Sequence, residues 1–125
     1  MYNSKFFKQR EFACKCGCGY GLKDGDVSEE LLQKLDQARE EAGVPFVIRS
    51  GCRCAKHNSS DRVKGAKESA HLTGMAADIA VNDRNKAIIE AVLRKHFVRI
   101  GIGAKNFIHV DVDHQKAHQG EFRYA

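Results

Sequence analysis

The segment SAHLTGMAADIAV, residues 69–81, carries the decision about this chain. Its second half, MAADIAV (75–81), reads as a strand. That strand contains Asp78, and His71 lies seven residues ahead of it, across Gly74. A glycine adopts backbone conformations closed to other residues, so the chain can turn at Gly74 and bring a loop histidine over a strand aspartate. Either the two side chains share a metal ion, or they are a solvent-facing loop histidine and an unrelated aspartate.

A metal site needs a third ligand, and FIHVDVD (107–113) offers one. Residues two apart on a strand share a face. Phe107, His109 and Asp111 therefore point one way, and Ile108, Val110 and Val112 point the other way into a core. A histidine and a carboxylate on a buried strand are costly without partners, and His71 and Asp78 are the partners available. Two imidazoles and one carboxylate leave a fourth position open, as catalytic zinc requires, whereas structural zinc is closed by four protein ligands.

The rest of the chain builds a scaffold for these strands. GDVSEELLQKLDQAREEAGVP (25–45) reads as a helix with Asp26 as its cap and Glu29 completing a capping box. Leu31, Leu32, Leu35, Ala38 and Ala42 form its apolar face, and Gly43 and Pro45 end it. FVIRS (46–50) reads as a short buried strand, followed by a long polar loop, GCRCAKHNSSDRVKGAKES. Asp83 is expected to open a second helix with Ala87, Ile88, Ala91 and Val92 on one face. VRIGIG (98–103) and FIHVDV (107–112) flank a hairpin turn, and Phe122 and Tyr124 suggest an edge strand near the end. The class is α+β: a small antiparallel sheet packed with two main helices. The 125 residues suit one domain, with residues 1–25 as a cysteine-containing arm and 113–125 as a tail.

Composition narrows the function. The chain is 42% hydrophobic and 30% charged, which is ordinary for a globular protein and excludes a membrane-spanning or low-complexity chain. Its net charge of +5 suits an anionic partner such as cell wall. No long basic block interleaved with aromatics supports nucleic-acid binding. The opening MYNSKFFKQREF has no apolar core of a secretory signal, so synthesis in the cytoplasm is expected.

In order along the chain, EFACKCGCG, RSGCRCAKHN, SAHLTGMAADIAV and FIHVDV resemble the M15 zinc peptidases, in particular the D-Ala-D-Ala carboxypeptidase-like branch that includes phage endolysins. The resemblance runs from about Phe12 to Val112. It implies the fold shared with the hedgehog signalling domain and cleavage of bonds next to D-amino acids in peptidoglycan stems. It also implies zinc held by His71, Asp78 and His109. Arg53 matches the family's Ser–Gly–x–Arg motif as SGCR (50–53) and is the candidate for stabilising a developing oxyanion. Ser69 and His57 are candidate substrate contacts, with a turn-capping role as the alternative for Ser69.

One position departs from the pattern. Many relatives carry a carboxylate three residues before the last zinc histidine, and here that residue is Asn106. Asp111 is then the first choice for the general base, the alternative being that it orients His109; His114 and His118 are reserves. His96 ends a helix, where an imidazole suits the dipole. The expected partner is a peptidoglycan peptide, met by a monomer released to the wall by a phage-type route. A hedgehog-like zinc-containing binding domain without catalysis is the rival.

Cys14, Cys16, Cys18, Cys52 and Cys54 admit three readings. Four of them could hold a structural zinc. One pair could form a disulfide between the arm and the Arg53 loop. All could be small buried thiols that pack the arm.

Overall fold

The computed structural model describes residues 2–60, 69–116 and 119–124. Five strands form one sheet in the order β1-β2-β4-β3-β5: β1 Val47–Ser50, β2 Ala76–Ala80, β3 Arg99–Ile102, β4 Phe107–Asp111 and β5 Glu121–Arg123. All neighbours are antiparallel except β3 and β5, which run parallel. Two main helices, α1 (Glu29–Ala42) and α3 (Lys86–His96), pack against each other; α2 (Ala55–Asn58) is a single turn in the long loop. The chain is α+β, as its pattern predicts.

Alternation decides which face of the sheet is which. Ile48, Ala77, Ile79, Ile100, Ile102, Ile108 and Val110 join Leu31, Leu35, Ala38, Ile89, Val92 and Leu93 of the helices in one core. The opposite residues, Asp78, His109 and Asp111, are buried polar groups on the other face. Cross-strand register aligns Ser50, Asp78, His109, Gly101 and Phe122 in one row across all five strands. A register shift between Ile48 and Ser50 makes Ser50, rather than Arg49, the partner of Asp78.

Several local expectations need correcting. Ser28, not Asp26, caps α1 by accepting from Leu31 N at 3.3 Å. Asp26 instead ties down the arm, accepting from Gly21 N at 2.9 Å and Lys23 N at 3.1 Å. Asp83 does not open α3: Asn85 is its N-cap, and a turn of Asn82 and Asn85 side-chain bonds precedes it. The buried face of α3 is Ile89, Val92 and Leu93, while Ala87, Ile88 and Ala91 are exposed. The later helix start shifts nothing in the helical period; the periodic pattern had two solutions, and docking against α1 selects the larger side chains. The β1 strand lies at the sheet edge and alternates, with Val47 61% exposed.

Candidate metal centre and active site

His71 reaches the sheet because the chain before β2 doubles back. It sits in a 3-10 turn, Ala70–Thr73, whose N-cap Ser69 accepts from His71 N at 3.2 Å. Gly74 ends the turn with φ 71°, and an added Cβ there would lie 1.8 Å from the Asp26 carbonyl oxygen. Gly74 thus meets two demands: a left-handed backbone and contact with the entry to α1.

The histidine tautomers follow from what each ring already bonds. His71 Nδ1 donates to the Gly51 carbonyl at 2.6 Å. That leaves His71 Nε2 with a lone pair; it is buried, without a hydrogen-bond partner among the described residues, and 3.3 Å from Asp78 Oδ1. The distance would suit an ion pair but the alignment does not make a hydrogen bond. His109 Nε2 donates to Asp111 Oδ2 at 2.7 Å, and its Nδ1 faces the same Asp78 Oδ1 at 2.9 Å. Two lone pairs and a carboxylate oxygen therefore face one another, with the ligand atoms of His71, Asp78 and His109 all within 4.8 Å. Acceptors gathered in a buried site need a cation among them, and two imidazoles with a carboxylate are a donor set suited to zinc.

Electrostatics agree with that need. Burial pushes the Asp78 carboxyl up, but the positive charge that His109 and His71 carry when protonated outweighs it and holds the carboxyl well below the usual carboxylate range, the place a bound cation would take. Burial disfavours a charged His109, yet the Asp111 and Asp78 carboxylates overcome it and raise its pKa. A proton and a metal thus compete for Nδ1.

Arg53 is fixed by three acceptors. Its Nε donates to Ser50 Oγ at 3.0 Å, one terminal nitrogen to Asn58 Oδ1 at 3.3 Å, and the other to Asp78 Oδ2 at 3.1 Å. Its backbone N–H also donates to the His71 carbonyl at 2.9 Å. Beside it opens a cleft lined by Lys15, Arg49, Ser50, Arg53, His57, Asp78 and Phe107. Asp78 is the one carboxylate among these residues, so the cleft is cationic.

Asp111 lies elsewhere. Its side chain is fully buried, on the far side of the His109 ring from Asp78, where it pairs with Arg99 and accepts from Asp113 N at 3.2 Å. Ser69 spends its oxygen on the turn that carries His71 and does not line the cleft. His114 pairs with Glu30 at the surface at 3.0 Å, and His96 with Glu41 at the end of α3 at 3.0 Å. Asn106 is exposed, its carbonyl accepting from Val81 N at 2.8 Å. His118 lies outside the described residues.

Residues absent from the sequence reading also build the site. The Gly51 carbonyl orients His71, Ser50 and Asn58 hold Arg53, and Arg99 neutralises Asp111. Phe122 covers His109 with ring centroids 5.6 Å apart; it fits because Gly101 beneath has no side chain, and a Cβ there would come within 2.5 Å of the ring. Arg99 is directly opposite Asp111 in the β3–β4 pair, a signal readable from the hairpin register. Ser50 and Asn58 reach Arg53 from within five residues of it, and the Gly51 carbonyl reaches His71 from the start of the long loop; neither arrangement has a periodic signal.

A search of curated proteins returns no match. The Peptidase M15 family profile matches residues 5–111, a span that contains Arg53, His71, Asp78, His109 and Asp111. With that match over most of its length, the chain belongs to the M15 peptidase family.

Proposed function

We propose that this protein is a zinc-dependent peptidase that hydrolyses bonds next to D-amino acids in peptidoglycan stem peptides, as a carboxypeptidase or as an endopeptidase of the endolysin type. The observation that carries the reading is the buried meeting of His71 Nε2, His109 Nδ1 and Asp78 Oδ1 beside an open, cationic cleft. When bound there, zinc supplies a Lewis acid that polarises a carbonyl and brings the pKa of water down toward about 7.

The chain's own groups do the rest. Asp111 holds the His109 ring with Nδ1 turned to the centre, the usual duty of a carboxylate behind a zinc histidine. Arg53, held on three sides, presents a cation to the oxyanion as it develops. Lys15 and Arg49 suit a substrate carboxylate, and Phe107 gives its peptide an apolar wall. His57 is the group lining the cleft whose chemistry suits proton transfer, and we assign it the base role in place of Asp111. The rival reading, a binding domain without catalysis, draws support from Asn106 and from the lack of a second carboxylate among the described residues lining the cleft.

Digestion of purified peptidoglycan, with mass analysis of the released fragments, separates the two. Fragments ending at D-amino acid bonds, abolished by a chelator and by His71→Ala or His109→Ala, are the expected result. Zinc content unchanged from that of the unaltered protein in both variants would sink the centre as drawn, and zinc lost in those variants with no fragment released by the unaltered protein would leave the binding domain. His57→Ala is expected to keep the metal while turnover falls by about 10²–10⁴.

A further inference from the structure

Cys14, Cys16, Cys18 and Cys54 come together outside the site just described, all four sulfurs within 4.8 Å of one another. The sulfurs are 3.4 Å apart for Cys14–Cys16, 3.6 Å for Cys16–Cys54 and 3.9 Å for Cys14–Cys54. Tetrahedral zinc with Zn–S bonds of about 2.3 Å would set its sulfurs about 3.8 Å apart. The cluster is therefore already near the size of a tetrathiolate cage.

The local backbone is shaped for that cage. In an extended strand, alternate side chains share a face but stand roughly 7 Å apart, too far for one ion. Gly17 and Gly19 alternate with the cysteines at φ 82° and 93°, curling the segment into a tight loop closed by Cys14 N to the Tyr20 carbonyl at 2.7 Å. Backbone N–H groups point at sulfur: Cys54 N at Cys14 Sγ, 3.5 Å, and His57 N at Cys54 Sγ, 3.4 Å. Such donors favour the thiolate over the thiol. Lys15, Arg53 and Lys56, within two residues of the cysteines, supply cations near an anionic cluster.

Packing does not explain the arrangement. Cys16 and Cys18 are exposed, so they are not thiols filling a core. Cys52 is the one that packs: it is buried in the core and points its sulfur to the Asp26 carbonyl at 3.7 Å. The odd cysteine is thus set apart from the four that converge.

We infer that Cys14, Cys16, Cys18 and Cys54 form a second metal site, a closed tetrathiolate centre for a structural zinc ion. It pins the N-terminal arm to the loop that carries Arg53. Cys54 follows Arg53 directly and caps α2, whose Asn58 bonds the Arg53 guanidinium. Closing the four thiolates on one ion fixes the arm and the oxyanion-side arginine together.

The full chain, purified under reducing conditions with zinc present, is expected to bind two zinc ions. Cys18→Ser and His71→Ala should each retain one, and the double variant none. Cobalt substituted into the His71→Ala protein should show thiolate-to-cobalt charge-transfer absorption, lost in Cys18→Ser. Failure of the histidine centre would leave this cysteine-dependent ion in place, so the two readings fail separately. A measurement on the unaltered protein guards against a misfolded variant: alkylation followed by mass analysis should find the four cysteines protected until a chelator strips the metal. Equal alkylation with and without chelator, or a disulfide among the four, would overturn the inference.

Discussion

Replacing Asp111 with asparagine separates an orienting role for this carboxylate from a proton-accepting one. The carboxylate is fully buried, accepts from His109 Nε2 at 2.7 Å and neutralises Arg99, whose side chain is 16% exposed. Removing one partner of a buried ion pair costs about 3–5 kcal/mol. Asparagine keeps an acceptor for His109, and Arg99 keeps its place over the Phe122 ring at 4.5 Å, so a loss near the lower end, about 3 kcal/mol, is expected in urea unfolding of the metal-free protein. The zinc effect is separate. A weaker partner behind His109 should reduce metal affinity by about 10–100-fold, or about 1.4–2.8 kcal/mol at 1.4 kcal/mol per tenfold. Affinity can be read by competition with a chromophoric chelator, and turnover by titration against buffered free zinc. The geometry predicts a displaced zinc curve that recovers most turnover at saturation. Turnover still down by about 10²–10⁴ with metal bound would return the base role to Asp111. An unshifted zinc curve would refute its orienting role.

Arg53→Ala should keep zinc yet lower turnover by roughly a hundredfold or more, the scale of one lost oxyanion donor; metal analysis beside steady-state kinetics checks both halves. Gly74→Ala places a methyl 1.8 Å from the Asp26 carbonyl oxygen in a left-handed backbone, so soluble yield and zinc content should both collapse. Gly101→Ala is milder, because the Phe122 ring it strikes at 2.5 Å belongs to an edge strand that can give way; a loss of about 1–3 kcal/mol in chemical unfolding is expected. Ile79→Ala, fully buried between sheet and helices, should cost about 2–5 kcal/mol by the same measurement without altering metal stoichiometry.

Local pattern carried much of this protein. Strand alternation in FIHVDV put His109 and Asp111 on one face and Ile108, Val110 and Val112 on the other, as the sheet has them. The turn at Gly74 and the αL end of α1 at Gly43 were legible because both depend on backbone freedom that glycine alone supplies cheaply. The trio His71, Asp78 and His109 was legible because buried polar residues in apolar strands demand partners. Helix starts were less so: Asp26 and Ser28 are both good caps, and the arm's need for a carboxylate at Gly21 and Lys23 settles which one is free to cap.

The contacts that assign roles depend on residues far apart in the chain meeting at one place. Asp78 meets Ser50 rather than Arg49 through a register shift, and Arg53 reaches Asp78 through a loop whose path no periodicity encodes. Asp111 looks like a base beside His109 in sequence, yet the ring stands between it and Asp78, and Arg99 fills its other side. Four of the five cysteines converge because the arm folds onto Cys54, 40 residues beyond Cys14. Spacing specifies which side chains share a face; it carries no information on which oxygen or sulfur ends up within bonding distance, because that is set by packing of the whole sheet and its loops.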